Sequence, residues 1–259
     1  MNLKYINFKK QDGIGRIQFN RPEKLNALNP DVFRDLEAIV SCCEEDDSIR
    51  VVILTGNEKA FVAGADIEHM AKKDIRIAYE LTDQNMRVFE KLADLPKPTI
   101  AAISGYALGA GCEAALCCDF RIAAENAILG LPEITLGIIP GAGGTQRLPR
   151  LVGIGPATEL IFMGEMIKAG RAQQIGLVNK IVPLDQLENE VNALAFKLLE
   201  RPALALRAAK TALRKGLNTS LKDGLQIEQD LVCMLFGTYD QKEGMAAFIE
   251  KRKPKFKGR

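Results

Sequence analysis

"GYALGAGCEAALCCD", residues 105–119, is built almost wholly of small and apolar residues, yet Glu113 stands in its middle. The segment just before it, "TIAAIS" (99–104), reads as a buried strand, and the glycines that follow open a helix. Strand, glycine turn and helix in that order point to an α/β fold with the sheet inside. A glutamate in such a helix is costly, because carboxylates are seldom fully buried without a partner. Glu113 therefore needs a reason beyond packing.

Outward from this stretch the same grammar repeats. Residues 3–9 and 14–20 alternate as strands joined at "QDGIG". In "NALNPDVFRDLEAIVSCCEED", Asn29 is an N-cap before Pro30, and Val32, Leu36, Ile39 and Val40 recur at helical spacing. "IRVVILTG" (49–56) is a buried strand, "AFVAGADIEHM" (60–70) turns into a helix, and 74–94 is a long helix. "FRIAAENAILG" (120–130) offers one or two short strands, "LGIIPGAGGTQRLPRLVG" (136–153) a glycine-rich turn with short helices, and "GLVNKIVP" a last strand. From Leu184 only helical periods follow. The expected organisation is a mixed α/β core over 1–183 and a helical module over 184–259, with no repeat and no linker.

Composition narrows the function classes. The chain has 259 residues, 47% of them hydrophobic, and a net charge of +2, as in ordinary globular proteins. Lys and Arg are scattered until the tail "EKRKPKFKGR", so no basic face argues for nucleic acid. No apolar run approaches the roughly 20 residues of a membrane span. The N-terminus enters strand-like alternation directly rather than through a signal or transit pattern. Six cysteines lack C-x-x-C spacing and read as reduced thiols of a cytoplasmic protein, with no metal or disulfide role. The single histidine, His69, leaves little for an imidazole triad or metal site, and it is given no role.

Two strand-to-helix turns carry glycine: "SGYALGAG" and "FVAGADI", the second with Asp66 as a cap. The first resembles the cofactor turn of short-chain dehydrogenases, but a hundred residues precede it and no Tyr-x3-Lys pair lies downstream. Alternatively, such glycines let backbone N–H groups at a helix start approach a ligand oxygen that becomes negative during reaction. Either turn alone is equally an ordinary connection. A second carboxylate, Glu133, follows Pro132 among leucine, isoleucine and glycine, and it too has a plain reading as a first-turn helix residue. Two carboxylates in one apolar cleft resist ionising together and could move protons to and from a water molecule held between them.

Taken in order, "NRPEKLNAL" (20–28), "AFVAGADI" (60–67), "GYALGAGCE" (105–113), "LPEITLGIIPGAGGTQRL" (131–148) and "AFIEKRKPKF" (247–256) resemble the crotonase (enoyl-CoA hydratase) superfamily over essentially the whole chain. The resemblance implies a right-handed spiral of ββα turns with a helical C-terminal trimerisation region, assembled as a homotrimer or dimer of trimers. It implies an oxyanion hole made by the N–H groups of Ala65 and Ala110. Most relatives have glycine where this chain has Ala110, a change that keeps the amide donor. Glu113 and Glu133 match both hydratase acids, the first to activate the water that attacks Cβ, the second to protonate Cα. Coenzyme A, as part of an acyl-CoA substrate, would lie against Lys24, Leu25, Ala27, Ala63 and Ile67, with Phe248 and Lys251 from a neighbouring subunit. Glu68 stands where some hydratases carry lysine, which leaves Lys24 and the basic tail to meet the phosphates. No separate cofactor or metal is implied, and the "PGAGG" glycines are expected to shape the wall beside Glu133.

The implied activity is reversible hydration of an enoyl-CoA thioester to 3-hydroxyacyl-CoA. The alternatives are another acyl-CoA lyase or isomerase of the superfamily, such as a cyclic enoyl-CoA hydratase, and a non-catalytic acyl-CoA-binding or RNA-binding relative.

Overall fold

The computed structural model describes residues 3–259. Two strands open it, β1 (Ile6–Gln11) and β2 (Ile14–Phe19), paired antiparallel across a turn in which Asp12 and Gly13 both have positive φ. That is the geometry a two-residue hairpin of this twist requires, which is why Asp-Gly occupies it. Helix α1 (Pro30–Glu45) follows, with Asn29 accepting a 2.9 Å hydrogen bond from the Val32 N–H.

The chain then winds through three similar turns, each placing one strand in each of two sheets before a helical segment. The first turn is β3 (Val51–Thr55), β4 (Ala60–Val62), α2 (Ile67–Met70) and α3 (Ile75–Asp94). The second is β5 (Thr99–Ile103), β6 (Tyr106–Leu108) and α4 (Ala110–Cys117). The third is β7 (Phe120–Ala124), β8 (Ile128–Gly130) and a 3-10 turn (Pro132–Leu136). Helices α5 (Gly144–Val152) and α6 (Ile154–Met163), strand β9 (Met166–Lys168), helix α7 (Ala169–Gln174) and strand β10 (Lys180–Val182) complete the mixed region. Four helices end the chain: α8 (Leu187–Leu199), α9 (Ala203–Gly216), α10 (Leu221–Leu235) and α11 (Tyr239–Ile249).

The larger sheet has the order β1-β2-β3-β5-β7-β10 and the smaller one β4-β6-β8-β9. Within the spiral every pairing is parallel. The expected ββα spiral is therefore present. Its second sheet is a correction to the sequence reading, which placed no strands at β4, β6 or β9. Three-residue strands are too short to show a period, and unlike β8 and β10, which fall inside segments read as strands, these three lie in glycine turns or between helices.

The main core fills the space among the sheets, α1, α3 and α4, with Phe19, Phe61, Phe89 and Leu92 fully buried. A second cluster lies on the other side of the larger sheet, where Leu187, Val191 and Ala195 of α8 cover Val51, Ile53 and Ile100. The helix after the last strand thus closes the sheet. Helix α9 is tied down by Asp119, which accepts hydrogen bonds from Thr99 and from the Lys210 ammonium at 2.8 Å. The all-helical composition from Leu184 holds, and no helix among the described residues is long and apolar enough to cross a membrane.

Candidate active site

Helix α4 lies directly on β4, because residue 111 is glycine: any Cβ there would run into the Val62 carbonyl. This close approach brings the start of α4 beside the "AGADI" turn. A Cβ on Gly109 would stand 3.8 Å from the Cα of Gly64, so the two glycine turns read from the sequence face each other. Both glycines have positive φ.

The N–H groups that follow them are free. Ala65 forms a parallel bridge with Leu28, in which the Leu28 N–H donates to the Gly64 carbonyl and the Asp66 N–H to the Leu28 carbonyl. The pairing uses the neighbours of Ala65 and leaves its own N–H pointing the other way. Ala110 is the first residue of α4 and has no helical acceptor. Among the described residues neither N–H has a partner.

Glu113, one turn into α4, is only 2% exposed. Its Oε1 accepts the Ala142 N–H at 2.7 Å and the Gly144 N–H at 2.8 Å. Burial pushes the carboxyl up, while the Gly144 and Ala142 donors and the charge of Arg147 pull against it; burial prevails. The "PGAGG" glycines were expected beside Glu133, and the structure places them on Glu113 instead. A Cβ on Gly144 would come within 3.1 Å of Glu113 Oε1, so the residue that donates must be glycine or shift.

Glu133 sits in the 3-10 turn after β8, half-buried, with Pro132 ahead of it as the first helical residue. Its Oε2 is buried without a hydrogen-bond partner among the described residues. Its carboxyl is pushed up to about 7, mainly by burial, with the charge of Glu113 adding to the rise. The two carboxylates thus occupy different environments: one braced by two N–H donors, the other with an unpartnered Oε2 and able to hold its proton up to about pH 7. A pair so arranged can take a proton at one member and release one at the other.

The loop 20–28 runs along β4. Ala63 donates its N–H to the Leu25 carbonyl at 3.0 Å, and Asn26, 1% exposed, donates to the Ala60 and Phe61 carbonyls. Leu25 and Asn26 both have positive φ, and the Asn26 hydrogen bonds hold that bend. Arg21 pairs with Asp66 at 2.8 Å and donates to the Ala27 carbonyl, so the loop and the "GADI" turn are fastened together. Burial would raise the Asp66 carboxyl, but hydrogen bonds from Arg21 and the His69 N–H hold it below its usual range. Lys24, Leu25, Ala27, Ala63 and Ile67 are therefore brought together, with Lys24, Leu25 and Ile67 exposed. Lys24 is already paired with Glu68 at 3.1 Å. Phe248, 86% exposed, and Lys251 lie at the end of α11, and no hydrogen bond or ion pair ties them to this loop.

Sequence reasoning missed Arg21, Asn26, Arg147 and the two N–H donors to Glu113. Asn26 had a usable signal, since asparagine tolerates positive φ; the others depend on contacts across the fold. Among the described residues no group of His, Cys, Asp and Glu is arranged to hold a metal, and all six cysteines are free.

Comparison with known proteins agrees with this geometry. The pattern of the enoyl-CoA hydratase/isomerase family matches residues 9–259. The chain is 44% identical over 257 residues to a crotonyl-CoA hydratase of Syntrophomonas wolfei, covering 99% of each protein. It is 46% identical over 250 residues to a 2,3-dehydroadipyl-CoA hydratase of Escherichia coli, covering 96% of this chain and 97% of that one. The crystal structure of an enoyl-CoA hydratase from Bacillus anthracis superposes with a TM-score of 0.95 at 43% identity, covering 99% of this chain and all of that one.

Proposed function

The chain belongs to the enoyl-CoA hydratase/isomerase family, and on that premise we propose that it is an enoyl-CoA hydratase. It adds water reversibly across the 2,3 double bond of an enoyl-CoA thioester and yields 3-hydroxyacyl-CoA. The observation that carries this reading is the contrast between Glu113, braced by two N–H donors, and Glu133, with a bare oxygen and a carboxyl near 7.

In the forward direction the thioester oxygen accepts the free N–H groups of Ala65 and Ala110 and gathers negative charge as water adds. Oxyanion donors of this kind contribute about 3 to 4 kcal/mol each. Glu113, its carboxylate oriented by Ala142 and Gly144, takes a proton from the water that attacks Cβ. Glu133, protonated, supplies a proton to Cα. The two roles follow from the environments: the carboxylate held by two N–H donors is the base, and the group whose Oε2 is buried without a donor is the acid. These are proton transfers and need no metal, nicotinamide or flavin.

The coenzyme A part would lie along Lys24, Leu25, Ala27, Ala63 and Ile67. Phe248 and Lys251 join it only from a neighbouring subunit, consistent with their exposure on α11. The exposed apolar residues of the last helices, among them Leu213, Leu217, Leu221 and Met234, support a homotrimer or dimer of trimers. A clean monomer on sizing at micromolar concentration would contradict the assembly and the shared site with it. Six free cysteines suit a reducing compartment, and we assign the enzyme to the cytoplasm.

The test is a panel of enoyl-CoA thioesters of increasing chain length, with dicarboxylic and cyclic members, followed by loss of the conjugated-thioester absorbance. Turnover of crotonyl-CoA is expected. A folded protein inert to every member would overturn the reading.

A further inference from the structure

Arg147 lies one turn inside α5, in a half-buried position, and no ion pair involves it among the described residues. Its Nη1 donates to the carbonyl of Ala142 at 3.1 Å. Ala142 is the residue whose N–H donates to Glu113, and Gly144, two residues on, gives the second donor. The guanidinium fills the space above Gly143: a Cβ there would overlap Nη1 and stand 3.0 Å from Cζ. Gly143 has φ 110°, which glycine adopts without strain. Three features therefore meet in residues 142–144: a carbonyl held by Arg147, a glycine that makes room for it, and two N–H groups aimed at one carboxylate oxygen.

We propose that Arg147 is a positioning residue for Glu113, clamping the 142–144 turn and adding a positive charge beside the two N–H donors that hold the buried carboxylate. The inference rests on the hydratase reading for its kinetic consequences and on the geometry alone for its effect on Glu113. A guanidinium suits both tasks, since it stays charged in any accessible pH range and its fork holds direction.

The other cations against α4 sit at its far end, where Arg121 donates to the Ala115 and Cys118 carbonyls and Arg214 to the Cys117 carbonyl. Helix α4 packs against α3, α5, β4 and β6. Glu133 is negative or neutral, and the thiols of Cys112 and Cys117 on α4 itself are neutral, each pushed up to about 12 by burial. The charged residues of α3 are exposed or paired, as Arg87 is with Asp83 and Lys91 with Glu44. β4 brings no titratable side chain, and β6 brings only the exposed Tyr106. Removing the positive charge therefore favours the protonated form of Glu113 and moves its titration upward.

The experiment compares wild type with Arg147→Met, Arg147→Gln and Arg147→Lys. It records folding by circular dichroism, the pH profile of crotonyl-CoA hydration, and the titration of the Glu113 carboxyl by infrared difference spectroscopy. The Glu113 band is assigned by its loss in Glu113→Gln. Arg147→Met is expected to lower kcat by about 10²-fold, as small misplacements of a reacting group do, with little change in KM. Its acid limb and infrared titration should both rise by about one pH unit or more. Arg147→Lys should recover part of each effect. If Arg147→Met does not fold, Arg147→Gln, which keeps a donor without charge, should show the same upward shift. A folded neutral variant with wild-type kcat overturns the inference, and so does lowered kcat with the acid limb and the infrared titration both unmoved. The infrared readout needs no turnover, so an inert wild type would refute the hydratase reading while the Arg147 claim is still decided.

Discussion

Gly109→Ala tests the packing that keeps Glu133 in place. A Cβ at residue 109 would stand 2.9 Å from Glu133 Oε1 and 3.4 Å from its Cδ, so the carboxyl must give way. The backbone resists as well: φ 49° with ψ −123° falls outside the regions open to residues with a side chain. Holding that conformation costs roughly 1–3 kcal/mol, which lowers stability without preventing folding in a domain of ordinary margin. The Glu133 Oε2 has no donor to hold it among the described residues, and the half-buried side chain can turn away from the added methyl group. Losing its burial brings it down from about 7 toward an ordinary glutamate, since burial is the main cause of the rise. Because hydration requires the protonated form of Glu133, the basic limb of the pH–rate profile should move to lower pH. kcat should fall by about 10²-fold at its optimum, the usual result of displacing a reacting group by an ångström. The assay is crotonyl-CoA hydration across the pH range, with thermal unfolding as the control. A folded Gly109→Ala enzyme with a wild-type basic limb would refute the argument that this glycine makes room for the acid.

Three further outcomes follow from the same geometry. Glu133→Gln should change the pH dependence of stability. The folded carboxyl titrates near 7 against 4.5 for the free side chain, so the wild type is penalised progressively as pH rises from about 4.5 to 7. The variant's melting temperature should therefore gain on wild type across that window and hold its gain above it; a constant difference in calorimetry would contradict this. Glu68→Lys frees Lys24 from its exposed pair and adds a charge, so KM for acyl-CoA should fall several-fold at low salt and the gain should fade at high salt. An unchanged KM would remove Lys24 from the phosphate site. Ala110→Gly keeps the main-chain donor and should cost far less than the roughly 10²–10³-fold that accompanies loss of such a group; a folded but inactive variant would show that the methyl group shapes the site.

Much of this was legible from residues alone, for local reasons. The caps at Asn29 and Asp66 mark helix starts because their side chains accept the N–H three residues on. Glu113 and Glu133 stood out because carboxylates in apolar segments are anomalies that call for a partner. The second sheet was hidden, since β4, β6 and β9 have three residues each and no room for a period. The cradle of Glu113 was hidden too: its donors lie 29 and 31 residues away, and only the fold brings them together. The resemblance sets the "PGAGG" turn beside Glu133, the nearer glutamate in sequence, whereas the fold carries it to Glu113. Arg147 reads as an ordinary cation on a short helix until its hydrogen bond to Ala142 is seen.

The central claim is that Glu113 and Glu133 act together on one water molecule. Its most direct test is the hydration rate of crotonyl-CoA by Glu113→Gln, Glu133→Gln and the double variant, each shown to be folded. Each single change keeps size and polarity and should lower kcat by roughly 10²–10⁴-fold, the usual loss for a general acid or base. The double variant should fall far short of the product of the two losses, because groups that act as a unit are not additive. Near-full activity in folded Glu113→Gln would contradict the account.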